Sequence, residues 1–116
     1  MTTYNYRTDS ELPAVPIYWQ QADGDYYDFA SGWTFTVLVV DGATGEVKLT
    51  KTSGITGATG DVDTPNIVIA WAAGEMATIG AGIREVLVNA RRTADSFDLP
   101  LPRRKIMLNV TAVPTA

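Results

Sequence analysis

The sequence predicts an all-β domain, an antiparallel β-sandwich or a small barrel, and three observations carry that expectation. From Trp33 to Thr50, apolar residues alternate with polar ones about a central turn, the pattern of a half-buried hairpin. Gly, Pro, Asn and Asp punctuate the chain at short intervals and leave about seven or eight strand-length segments between them. Only one short segment has a helical reading, and it is too brief to be stable alone.

Taken in order, residues 1–13 read as an N-terminal arm and residues 14–116 as one sandwich domain. Residues 14–19 form the first strand. Pro16 donates no N–H, which places this strand at a sheet edge or a kink. Residues 22–25 are a turn, 26–29 a short second strand, and 30–32 a turn into the central hairpin. There Trp33, Phe35, Val37 and Val39 share one face, with Thr34 and Thr36 on the other. Asp41-Gly42 and Thr44-Gly45 supply the positive-φ positions of the hairpin connection. Val47 and Leu49 are expected to resume the inward phase, with Glu46, Lys48 and Thr50 outward. Gly54, Gly57, Gly60 and Asp61 mark a loop with room for a short strand near Ile55. After Pro65, residues 66–71 are a strand with Ile67, Ile69 and Trp71 in phase. Residues 72–79 are the helical turn, ended by Gly80 and Gly82. Residues 83–90 are a long strand with Val86, Val88 and Ala90 on one side, 91–104 a connector, and 105–113 the last strand. The expected core is Phe35, Val37, Val39, Ile69, Trp71, Val86, Val88, Ile106, Leu108 and Val110.

A chain of 116 residues makes one domain. Its apolar fraction of 46% and charged fraction of 19% are those of an ordinary globular protein. A net charge of -4 argues against nucleic acid as the main partner. The charge is uneven. Residues 1–46 set Arg7 against Asp9, Glu11, Asp23, Asp25, Asp28, Asp41 and Glu46. Residues 84–116 set Arg84, Arg91, Arg92, Arg103, Arg104 and Lys105 against Glu85, Asp95 and Asp98. Solvated loops account for this split; a sharper reading joins the acidic end of one subunit to the basic end of the next. No apolar run approaches the roughly 20 residues of a membrane span, and no signal peptide is visible after Met1, so no membrane partner is expected.

Neither His nor Cys occurs in the chain. That removes Ser-His-Asp and Cys-His catalysis, imidazole and thiolate metal sites, and disulfides. Carboxylates remain, but Asp23, Asp25, Asp28, Asp61 and Asp63 all fall at expected turns, where Asp bends the backbone. Asp23-Gly24-Asp25 with Asp28 has half of a calcium-loop spacing and lacks the bidentate Glu. Gly54, Gly57 and Gly60 lack the Gly-Lys-Ser/Thr of a phosphate loop. The basic triplet at 103–105 has no interleaved aromatics on which bases would stack. No catalytic, cofactor or metal site is expected. Trp33 and Trp71 are in phase with core residues, whereas Trp19, beside Gln20-Gln21, is the tryptophan expected at an interface.

Several segments together resemble the N-terminal domain of phage baseplate upper proteins and related small tail modules. They are Arg7-Thr8-Asp9 before a Pro-containing strand, Tyr27-Asp28-Phe29 with Ser31-Gly32, and Trp33-Thr34-Phe35-Thr36-Val37. The turn from Asp41 to Gly45 with Val47-Lys48-Leu49-Thr50, the run Ile67-Val68-Ile69-Ala70-Trp71 and the following Gly74-Glu75 continue the likeness. Gly82 then opens a strand, and Ile106 to Val110 closes the domain. Gly82-Ile83 departs from the family, whose strand at this point often begins Gly-Tyr or Gly-Thr-Tyr. The resemblance implies an immunoglobulin-like sandwich and a structural, non-enzymatic component of a phage tail tip or baseplate. It further implies assembly in the host cytoplasm, residence in the virion, and other tail proteins and copies of the chain itself as partners. A carbohydrate-binding module for host attachment and a capsid decoration protein are the alternatives.

The residues expected to touch neighbouring subunits are Tyr4, Tyr6, Arg7 and Asp9 of the arm, Trp19, and the basic pair Arg103 and Arg104. Tyr, Trp and Arg are the types in which interface energy concentrates. The arm also lacks aliphatic residues to hold it to its own sandwich; the alternative is that it guards an edge of its own sheet.

Overall fold

The computed structural model describes residues 2–11, 13–101 and 106–112. In chain order its elements are β1 (Thr2–Arg7), β2 (Val15–Ile17), β3 (Trp33–Asp41), β4 (Val47–Lys51), β5 (Ile55–Gly57), β6 (Ile67–Ile69), α1 (Glu75–Ile79), β7 (Gly82–Arg92), β8 (Phe97–Pro100) and β9 (Ile106–Thr111). They build an all-β sandwich. The larger, six-stranded sheet runs β1-β9-β7-β3-β4, with β8 also paired to β7, and the smaller runs β2-β6-β5.

The spine is the antiparallel pair β3–β7, in register from Trp33 opposite Arg92 to Asp41 opposite Arg84. Direct partners point to the same face, so Val37 with Val88 and Val39 with Val86 line one side of the sheet. Ile106, Leu108 and Val110 of β9 join them, and Val15, Ile17, Ile67 and Ile69 of the small sheet close the core from above. Each such side chain stabilises the fold by about 1.5–3 kcal/mol on burial. The expected core residues are all buried except Phe35, which is half-buried at the mouth of the sandwich. The helical turn is shorter than expected, Glu75–Ile79, and drives Met76 and Ile79 into the core.

Four features differ from the sequence reading. First, the arm is over Thr2–Arg7 an edge strand of its own sheet, parallel to β9. Counting aliphatics missed what anchors it: Tyr6 is only 3% exposed and belongs to the core. Second, Val47 points outward. A bulge between Val39 and Val40 sets Val47 opposite Val40, which shifts the inward phase by one residue. Third, residues 26–29 make two isolated bridges, Gln20 with Tyr26 and Asp28 with Thr59, rather than a strand. Fourth, the connector at 91–104 holds β8, hidden in the sequence by Asp98 and Pro100 and entered through Ser96 at φ 58.

Candidate interaction site

Asn66 is the polar centre of the structure, fully buried between the end of β2 and the loop before β3. Its side-chain oxygen accepts from the Trp19 N–H at 2.9 Å, and its amide donates to the Trp19 and Tyr27 carbonyls at 2.8 and 3.0 Å. This pins a chain of aromatic rings. Trp19 meets Tyr27 edge-on at 5.7 Å, Tyr27 stacks on Phe29 at 5.5 Å, and Phe29 meets both Trp33 and Phe35 edge-on at 5.0 and 5.5 Å. Sequence reading passed over Asn66; the available signal was an amide directly before the apolar run of β6.

The ring chain ends at a groove of about 620 Å³, lined by Phe29, Ala30, Ser31, Trp33, Thr34, Phe35, Thr36, Thr52, Ile55, Thr56 and Gly57. None of these side chains is charged. Gly57 is required there, because a Cβ would lie 2.2 Å from the Phe29 carbonyl oxygen. Arg92 covers the Trp33 ring at 5.8 Å and the Phe97 ring at 5.1 Å, held by two hydrogen bonds to Asp95. Those bonds and the charge of Asp95 raise the Arg92 pKa, so this guanidinium stays a cation under all ordinary conditions.

A second surface is the outer face of the six-stranded sheet. The register places Leu38 beside Leu87, and Val40 between Val47 and Glu85, with Met107 beyond. Val40 and Glu85 are buried, Leu38, Leu87 and Met107 half-buried, and Val47 and Ile83 are 51% and 54% exposed. The small sheet packs on the opposite face, and no described strand or helix lies over this one.

The residues expected to meet other subunits fall into three groups. Tyr6 and Trp19 are corrected: both sit in the core of their own chain. The Tyr6 hydroxyl donates to the Pro13 carbonyl at 2.6 Å and accepts from Trp71 Nε1 at 3.0 Å. Burial pushes its pKa up to about 12, against a smaller downward pull from the Trp71 N–H. Tyr4 is half-buried against the same core, and Arg7 pairs with Asp9 of its own chain at 3.1 Å, both exposed. Arg103 and Arg104 lie outside the described residues. With Trp19 buried, the trio Trp19, Tyr18 and Tyr26 forms no exposed aromatic platform for a sugar.

Charges cross between the two halves of the chain within one molecule. Arg84, on the core face of β7, binds Asp41, and the buried Lys51 binds Glu75 at 2.8 Å. Asp41 is held as a carboxylate first by the backbone N–H groups of Thr44 and Ala43 and then by Arg84, which lowers its pKa. The turn aspartates bend the backbone. Asp23 accepts from the Asp25 N–H, Asp61 from the Asp63 N–H, and Asp28 from the Ala30 N–H and the Thr59 hydroxyl. No group of three or more metal-binding side chains occurs among the described residues. No helix among them is long and apolar enough to cross a membrane. Comparison with protein-family models, curated proteins and solved structures finds no match.

Proposed function

We propose that this chain is a structural subunit of a phage tail tip or baseplate, which joins its neighbours through the outer face of its larger sheet and performs no catalysis. The observation that carries the reading is the apolar row on that face, from Val47 through Val40 and Leu38 to Leu87, with Ile83 at its border. A face that no described strand or helix covers, with Val47 and Ile83 about half exposed on it, is the usual mark of a protein–protein contact. Supporting it is the use already made of the polar side chains, since the ion pairs and turn aspartates are engaged in holding the fold. The virion assignment follows the resemblance in residues 7–9, 27–37 and 41–50.

Antibody labelling of phage particles from cells that produce this chain tests the reading. Label at the distal end of the tail is the expected result. Label confined to the head, or to soluble protein, overturns it.

A further inference from the structure

The groove beside Trp33 exists for a backbone reason. β3 begins at Trp33, yet β4 pairs with it only from Val37 to Val40. Had β4 run on in register, Ser53 and Ile55 would face Phe35 and Trp33. Instead the chain turns at Gly54, φ 70, where a Cβ would lie 2.8 Å from the Ala70 carbonyl oxygen, and Ile55 pairs with Ile69 in the other sheet. On this side no described strand pairs with the first four residues of β3.

Alternation decides which backbone groups face the gap. Asp41 donates its N–H to Glu46 on the β4 side, while Gly42 donates to Ile83 and Gly32 accepts from Thr93 on the β7 side. Residues of β3 at odd positions therefore direct N–H and C=O toward the line of β4, and Phe35 and Trp33 direct theirs into the groove. An open ladder of this kind is the template for an added strand.

We propose that the groove receives an uncharged, extended segment of a neighbouring subunit, added as a strand beside Trp33 and Phe35 in the line that β4 vacates. Four residues of such a strand span about 13 Å. Its alternate side chains meet Phe29, Phe35 and Ile55 on the inner side, and the lining offers no charge to pair with an ionic one. This names a partner chemistry for the assembly reading and rests on it for the identity of the donor as a neighbouring subunit.

The test uses the full chain, isotope-labelled for amide spectra, with the capped pentapeptide Thr-Val-Thr-Val-Thr as probe. The expected result is saturable shifts at Trp33 and Phe35, with slower hydrogen exchange at both amides. Methylating every peptide nitrogen of the probe should weaken binding by about tenfold or more, since the ladder bonds are then lost. The proposal is overturned if millimolar peptide leaves both amides unchanged, or if the methylated peptide binds equally well. It is also overturned if a neutral oligosaccharide such as maltotriose shifts these amides while the peptide does not. Failure of antibody labelling with peptide binding intact removes the tail assignment and leaves the strand-accepting groove standing.

Discussion

Asn66→Ala is the substitution that probes the fold most deeply. The side chain is fully buried and makes three hydrogen bonds, all to backbone groups that have left regular pairing. A hydrogen bond contributes about 0.5–1.5 kcal/mol net, and a buried group left without a partner costs about 1–3 kcal/mol. Truncation strands the Trp19 N–H and the Tyr27 carbonyl and leaves the Trp19 carbonyl only its bond from the Tyr27 N–H at 3.1 Å, in a place closed by Trp19 and Phe29. We expect a loss of about 3–5 kcal/mol, a large share of the roughly 5–15 kcal/mol of a small domain. At about 4 °C per kcal/mol for a chain of this size, the thermal midpoint falls by about 12–20 °C. Urea unfolding followed by tryptophan fluorescence measures it, with an unchanged urea dependence as the two-state check. Asn66→Asp is the companion. It keeps the acceptor for Trp19 but sets a carboxylate oxygen against two carbonyls, so its deficit should match or exceed that of alanine at neutral pH and shrink below about pH 4. A loss under about 1 kcal/mol for Asn66→Ala would refute the claim that this side chain holds the aromatic chain in place.

Deleting residues 2–7 removes β1 and the core ring of Tyr6, and circular dichroism should show loss of the folded state or a collapse of its midpoint; an unchanged midpoint would mean that the strand is not integral. Tyr6 titrates near 12 when folded and near 10 when unfolded, so its stabilising share is complete below pH 10 and lost as pH rises through about 12. Tyr6→Phe should lose about 1–3 kcal/mol at neutral pH, through the bonds to Pro13 and Trp71, and show a shallower alkaline decline than the parent; equal alkaline slopes would contradict this. Val47→Lys with Ile83→Lys alters two side chains that are already exposed, so stability should change by no more than about 0.5 kcal/mol while incorporation into particles is lost; normal incorporation would argue against the outer face as the joint.

The long strands were legible because their period is unbroken. Val37, Val39, Val86, Val88, Leu108 and Val110 alternate cleanly, and all are buried as that pattern requires. Misreadings cluster where a tertiary effect outweighs the local pattern. One residue of bulge turns Val47 outward. Lys51 keeps the inward phase of Leu49, opposite Val37, and the structure satisfies its ammonium with Glu75. Tyr6 serves as a core residue because Pro13 and Trp71 satisfy its hydroxyl, which a count of aliphatics does not register. The groove was not legible at all. It arises because the chain turns at Gly54 and leaves Trp33 and Phe35 without their next partner, and no residue type announces a missing strand.

The central claim is that this chain works as a built-in part of a larger particle, and the native mass of whatever contains it tests that claim most directly. Material from cells that produce the chain and its particles, separated by size without denaturant, should carry it in a fraction of particle mass that also holds tail proteins. Recovery only as the free 12.5 kDa chain, with none in the particle fraction, would contradict the account.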